Sequence, residues 1–249
     1  MIPLKSEHDL VMLRVSGRIL ARVLRKLQEI VKPGITTAQI DALAEELVLK
    51  ENAQPAFKGY KEYPFATCTS ANAAIVHGMP DEKRLEEGDI ISIDLGVIYQ
   101  EYFTDAAVTV PVGNIDAKKR KLIEVTKKSL AEGIKQAKVG NHLSDISYGI
   151  QNYVEKNGFS VVRQFVGHGI GRSLHEEPEI PNFGRPNHGP ILKAGMVFAI
   201  EPMVNMGTWE AEILENGWTA VTLDRLPSAH FEHTVAITEM GPEILTKEQ

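Results

Sequence analysis

A single cysteine, Cys68, in 249 residues excludes an internal disulfide and any zinc module built from cysteine pairs. Long apolar runs are missing too: nothing approaches the ~20 residues a membrane span needs, and the N-terminal MIPLKSEHDL lacks the apolar core of a secretory signal. The net charge of -6 comes without a clustered basic stripe, which argues against nucleic acid as the main partner. These absences leave a soluble cytoplasmic protein without membrane attachment as the expectation. With 43% hydrophobic and 24% charged residues there is ample material for a core, in one large domain or two small ones.

The stretch LEEGDIISIDLGVIYQEYFTDAAVTV, from Leu85 to Val110, organises the rest. Asp94 ends an apolar run of strand character (Ile90, Ile91, Ile93) and Asp105 opens a second (Ala106, Val108, Val110), so the segment reads as a β-hairpin. A loop made of Tyr99 and Gln100 would set Asp94 directly opposite Asp105, with Cβ atoms ~5 Å apart. Neither glycine nor asparagine occurs from Tyr99 to Tyr102, which disfavours a tight primed turn and leaves the register open to slippage. Two carboxylates so close repel unless a metal ion lies between them, the pair shares a proton, or the edge is solvated.

Two helices precede any strand. Ser6 with Asp9 opens the first, whose apolar positions run from Val11 to Leu27 until Pro33 and Gly34 stop it; Thr36 with Gln39 forms a capping box for the second, with Ile40, Leu43, Ala44 and Leu47 on one face. Pro55 to Pro64 is an aromatic loop whose Phe57, Tyr60 and Tyr63 either fold onto the body or line a pocket, and it leads into strand-like Phe65 to Ser70. After Gly113 the order recurs: a helix from about Asp116 to Lys138, a break at Val139 and Gly140, a second helix, then strand-like Ser160 to Val166.

Lys32, Gly34 and Ile40 are matched 106 residues on by Lys138, Gly140 and Ile146, and Leu85, Gly88 and Ile93 are matched 107 residues on by Leu192, Gly195 and Ile200. A duplicated unit is the inference, with halves of about 1–113 and 114–249 in a single catalytic domain spanning 1–249. The repeat sets LEEGDIISID against LKAGMVFAIE, and so Asp94 against Glu201; DAAVTV against EHTVAI likewise pairs Asp105 with Glu232. Two halves packed about a pseudo-twofold would bring all four acids to one site. By strand parity the acids share a face with Ser92, Ala107, Ala199, Thr234 and Ala236, while Ile91, Ile93, Phe198, Ile200 and Val235 face a core beneath helices.

His168, inside GHGIG, has glycines on both sides that let the backbone approach whatever the imidazole touches; His77 and His175 are further candidates. Four carboxylates and one imidazole form a hard, oxygen-rich set, too negative for one divalent ion and near balance for two. Such a pair suits metal-assisted hydrolysis.

Asp94, Asp105, His168, Glu201 and Glu232, with GHGIG around His168, IEPMV around Glu201 and EHT from Glu232, closely resemble the type I methionine aminopeptidases, and the similarity runs from about Ile2 to the C-terminus. The resemblance implies an α/β (α+β) pita-bread fold: two pseudo-twofold-related αβ halves, with a central antiparallel sheet covered by helices. It implies two divalent metal ions (Co, Mn, Fe, Zn or Ni), one held by Asp94 and Asp105, the second completed by Asp105, His168, Glu201 and Glu232, with Asp105 and Glu232 bridging. It makes Glu201 the proton carrier, has His77 and His175 contact the substrate and its tetrahedral intermediate, and places Phe57, Tyr60, Tyr63, Cys68 and Trp218 around the methionine side chain.

The activity so implied is removal of the initiator methionine from nascent polypeptide N-termini when the second residue is small, by a monomer that could contact the ribosome. Glu101 departs from the glycine usual at that place in the hairpin, and the chain looks like the short bacterial form, without a zinc-binding N-terminal extension. Two other readings on the same fold are an aminopeptidase P or prolidase type enzyme, whose extra N-terminal domain 249 residues leave no room for, and a non-catalytic binding protein, which would tend to lose ligands that this chain keeps.

Overall fold

The computed structural model describes residues 2–248. Its elements run α1 (Glu7–Ile30), α2 (Thr37–Lys50), β1 (Gln54–Pro55), a 3-10 turn (Tyr60–Glu62), β2 (Thr67–Ala71), β3 (Ala74–Val76), β4 (Ile90–Tyr99), β5 (Tyr102–Pro111), α3 (Ala117–Gln136) and α4 (Leu143–Lys156). There follow β6 (Ser160–Val161), β7 (Gly167–Gly169), β8 (Glu176–Ile180), β9 (Val197–Ile200), β10 (Met203–Asn205), β11 (Ala211–Ile213), β12 (Ala220–Thr222), β13 (Ser228–His230), β14 (His233–Thr238) and β15 (Gly241–Ile244). Among the described residues no helix is long and apolar enough to cross a membrane.

The helices begin where the sequence offers caps. Ser6 Oγ accepts the Asp9 N–H at 3.2 Å while Asp9 Oδ2 accepts the Ser6 N–H at 2.9 Å, and Thr36 and Gln39 repeat the exchange at the head of α2. Leu13, Leu20 and Leu27 recur every seventh residue along α1 and are fully buried, each stabilising the packed state by about 1.5–3 kcal/mol. Gly17 lets that helix lie against the C-terminal chain: a Cβ there would stand 2.3 Å from the Leu245 carbonyl oxygen.

Among the described residues every strand pair is antiparallel, and backbone pairing divides the strands among four sheets. In the first large sheet β4 lies between β5 and the β1 and β2 strands; the second runs β15-β14-β9-β7-β8. Each has its own hydrophobic core, as strand parity predicts. Ile91, Ile93, Leu95 and Val97 pack with α1 and α2, whereas Phe198, Ile200, Val235 and Ile237 pack with α3 and α4. The mixed α/β class is the one expected.

Backbone details recur between the two parts. Gly34 N–H reaches the Leu85 carbonyl at 2.8 Å, Gly140 N–H reaches the Leu192 carbonyl at 3.0 Å, and the two leucines return bonds of 2.8 Å to Ile35 and Asn141. Gly34 and Gly140 have φ of 91° and 90°, a left-handed conformation that glycine adopts without steric cost.

Two expectations need correction. The hairpin turn is Gln100 and Glu101, with Tyr99 opposite Tyr102, so Asp94 faces Ala107 and Asp105 faces Gly96. The two aspartates are diagonal neighbours on one face rather than directly opposed. Gln100 (φ 46°) and Glu101 (φ 68°) both adopt left-handed backbone, the primed-turn geometry that matches strand twist, although neither residue type favours it. Ladders ten residues long in each strand, buried over most of their length, fix the register more strongly than the turn residues oppose it. The expected strand Ser160 to Val166 is also shorter: β6 stops at Val161, and the chain then turns so that Gln164, Phe165 and Val166 line a cavity.

Candidate metal centre and substrate cavity

The two large sheets meet along β5 and β14. Glu232 N–H donates to the Ala107 carbonyl at 2.9 Å; Thr234 Oγ1 accepts the Asp105 N–H at 2.9 Å and donates to the Asp105 carbonyl at 2.8 Å. One step along the seam, Thr109 Oγ1 accepts the His230 N–H and donates to the His230 carbonyl, both at 2.8 Å. The seam brings Asp105 beside Glu232. His168 on β7 pairs with Ala199 on β9, which pairs with Thr234 on β14, so the imidazole and Glu201 emerge on the same side.

Asp105, His168 and Glu232 are 5%, 8% and 2% exposed. Their ligand atoms, like those of Glu201, His230 and Glu232, all lie within 4.8 Å of one another, and either group could hold a metal ion. His168 Nε2 is 3.6 Å from Glu201 Oε1, and its Nδ1 is 2.9 Å from the Gly169 carbonyl. A backbone acceptor on Nδ1 fixes the tautomer that leaves the Nε2 lone pair facing the acids. Asp94 Oδ1, Asp105 Oδ1, Glu232 Oε1 and His230 Nε2 are buried without a hydrogen-bond partner. Three orphaned carboxylate oxygens and an orphaned imidazole nitrogen fit bound cations, which would supply the partners they lack; of the four residues, Asp94 alone belongs to neither of the two groups.

The protonation of these groups follows from burial. Desolvation raises Asp94, Glu201 and Glu232 well above the usual carboxylate range, and the neighbouring carboxylates raise them further. Asp105 rises to about 7 through burial, opposed by its hydrogen bonds to Asp94 and Ala106. Burial first, then the nearby His175, lowers His168 to about 3; His77 falls to about 4 for the same two reasons and Lys61.

Above the acids opens a cavity of about 290 Å³. The sequence-derived candidates Phe57, Tyr60, Tyr63, Cys68, Trp218, His77 and His175 all line it, together with Asp94, Asp105, His168, Glu201 and Glu232. Tyr63 is pinned by its hydroxyl, which donates to the Thr67 and Gly78 carbonyls at 2.9 and 3.3 Å, and it meets Trp218 edge-on at 4.9 Å. His175 stacks on Tyr60 at 5.2 Å, with Nδ1 2.9 Å from the Tyr60 hydroxyl, and tilts against His168 at 4.2 Å. His77 sits at φ 57°, a strained conformation of the kind found where a side chain must be aimed, and meets Phe165 edge-on.

Sequence reading missed Phe165, Met203, Leu174 and His230. His230 precedes Glu232 by two, but β13 ends at His230 and β14 begins at His233, so no single strand's alternation links the two. Phe165 and Leu174 reach the cavity from irregular segments and Met203 from the start of β10, and none of the three carries a local signal.

The sequence pattern of metallopeptidase family M24 matches residues 11–239. The chain belongs to that family. This M24 chain is 54% identical to a methionine aminopeptidase of Clostridium perfringens, over 99% of each chain. Its backbone superposes on a methionine aminopeptidase of Thermotoga maritima with a TM-score of 0.98, 47% identity and full coverage of both chains. A prolidase from Pyrococcus furiosus is more distant, with a TM-score of 0.81 and 26% identity, and this M24 chain covers 66% of it. The pita-bread fold expected from the motifs is the fold of these relatives.

Proposed function

We propose that this chain is a methionine aminopeptidase, a metal-dependent hydrolase that removes the N-terminal methionine from polypeptides whose second residue is small, acting in the cytoplasm as a monomer. The observation that carries the reading is the cavity floor: buried, partnerless carboxylate and imidazole atoms beneath aromatic walls, in a chain more than half identical to a methionine aminopeptidase along its whole length.

Asp94, Asp105, His168, Glu201 and Glu232 would hold two divalent ions. Such ions supply a lowered pKa for water and polarisation of the scissile carbonyl. Glu201 takes the proton from the attacking water as oxygen adds to the carbonyl carbon, and delivers it to the departing amine as the C–N bond breaks. Phe57, Tyr60, Tyr63, Cys68 and Trp218 enclose the methionine side chain, and a flexible thioether suits their apolar surface. His77 and His175, both driven towards the neutral form by burial, keep an N–H to offer the peptide carbonyl and the oxyanion that develops from it. Crowding by the two imidazoles beside the floor restricts the second residue to small side chains. The two αβ halves, about 1–113 and 114–249, are a duplication whose copies each contribute two acids.

The test incubates metal-stripped protein with a Met-Ala-Ser peptide and a Met-Pro-Lys relative, restoring Co, Mn, Fe, Ni or Zn in turn and following free methionine by mass spectrometry. Metal-dependent release that Glu201→Gln abolishes is the expected result. Release from neither peptide with any metal, by folded protein, would refute the reading in favour of a non-catalytic binding protein.

A further inference from the structure

His230 ends β13 and is 1% exposed. Its backbone N–H and carbonyl are both bonded to the Thr109 hydroxyl, which fixes the place in the fold from which its imidazole starts. Nε2 finds no hydrogen-bond partner, yet it stands 3.5 Å from Glu201 Oε2, almost the same distance as His168 Nε2 from the other oxygen of that carboxylate. Glu201 is thus held between two imidazole nitrogens, one on each oxygen.

The 3.5 Å separation is long for a hydrogen bond, whose N to O distances centre on about 2.9–3.0 Å. It suits two donors on one ion: atoms ~2.1 Å from a common metal, at tetrahedral or octahedral angles, lie roughly 3.0–3.4 Å apart. Glu232, two residues along the chain, supplies a third ligand atom within 4.8 Å of the other two.

We propose that His230 is itself a metal ligand, adding a second imidazole, beside Glu201 and Glu232, to the part of the centre that His168 also faces. The inference rests on the metallohydrolase reading and extends it. A second imidazole softens a donor set otherwise made of four carboxylates and His168, tilting the centre towards the borderline ions Co, Ni and Zn and away from Mn.

X-ray absorption of the untagged, cobalt-loaded chain counts the imidazoles bound per chain, and His230→Gln tests the assignment because the amide can hydrogen-bond Glu201 but is a poor cobalt or zinc ligand. The expected result is one imidazole fewer in the variant than in the wild-type chain, with cobalt and zinc affinities at least tenfold weaker and manganese affinity reduced less. His230→Ala, checked for folding in its metal-free form, should match His230→Gln. Equal imidazole counts in the wild-type chain and both variants overturn the assignment and leave His230 a hydrogen-bonding neighbour of Glu201. A wild-type chain that binds no cobalt refutes the metal centre itself, and the functional reading with it.

Discussion

Thr234 holds Asp105 by both ends of its peptide unit: the hydroxyl accepts the Asp105 N–H at 2.9 Å and donates to the Asp105 carbonyl at 2.8 Å. Neither backbone group has a strand partner at this point of the seam, so one hydroxyl stands in for a missing rung between β5 and β14. Thr234→Val keeps the shape and deletes both bonds. With each buried group left unsatisfied costing about 1–3 kcal/mol, the variant should lose about 2 kcal/mol or more in denaturant unfolding. Metal affinity should fall with it, since Asp105 and Glu232 lie across this seam. Thr234→Ser should restore most of both; an unchanged unfolding midpoint in Thr234→Val would show that the hydroxyl is dispensable.

Metal should matter more to stability as the solution becomes more alkaline. The folded-state pKa of Asp105 is raised to about 7, and those of Asp94, Glu201 and Glu232 are raised well above their unfolded values near 4. A raised pKa contributes stability that is complete below the unfolded value and is lost as pH climbs through the folded one. His77, His168 and His230 act in the opposite sense, because their lowered values cost stability below about 6.5, where the unfolded imidazoles take up protons. From about pH 6.5 up through the ionisation of Asp105 near 7 the imidazoles are silent, and each carboxyl still protonated withdraws about 1.4 kcal/mol per pH unit from the metal-free protein. The thermal midpoint of chelated protein should therefore fall across this window while that of metal-loaded protein holds. Parallel curves would show that the acids do not carry the protons assigned to them.

Tyr60 offers a test of the cavity that leaves the acids alone. Its hydroxyl is 2.9 Å from His175 Nδ1, and if the ring is to present Nε2–H to a substrate, the tyrosine must donate. Tyr60→Phe keeps the stack and frees the imidazole to change tautomer. A net hydrogen bond of about 1 kcal/mol corresponds to roughly a fivefold loss in kcat/KM, expected mainly in kcat, with bound metal unchanged. A purely structural tyrosine would instead raise KM or lower the thermal midpoint.

Much of this was readable from periodicity and punctuation. Ser6 with Asp9 and Thr36 with Gln39 marked two helix starts to the residue, and alternation about Asp94 and Glu201 separated core from cavity correctly on both large sheets. These signals are local, and the structure obeys them because each agrees with what the neighbouring chain demands. The failures were non-local. The turn at Gln100 and Glu101 is imposed by the ladder behind it rather than by its own residues, and β6 is cut short because the chain after Val162 serves the cavity rim. His230 shows a third kind of miss: it ends β13 while Glu232 lies in the link to β14, so neither the alternation of one strand nor a motif pointed to it.

Glu101 is where local preference and tertiary demand conflict most openly. At φ 68° a side chain costs about 1–2 kcal/mol relative to a right-handed conformation, and glycine would not bear that cost. Against it stands the contact of Glu101 with Arg172, whose Nη1 lies 3.5 Å from Oε2, but the glutamate side chain is 89% exposed and such pairs contribute about 0.2–1 kcal/mol. Arg172 keeps its other partners in either case, stacking on Tyr102 at 3.8 Å and bonding its hydroxyl at 2.6 Å. Strain should win, although the greater freedom of glycine in the unfolded chain returns part of the gain. Glu101→Gly is expected to stabilise the protein by up to about 1 kcal/mol, read as a higher denaturant midpoint at unchanged slope, with the advantage shrinking at low ionic strength where the ion pair is strongest. A midpoint that falls would mean the pair with Arg172 contributes more than its exposure suggests, tying the hairpin turn to the segment that carries His175.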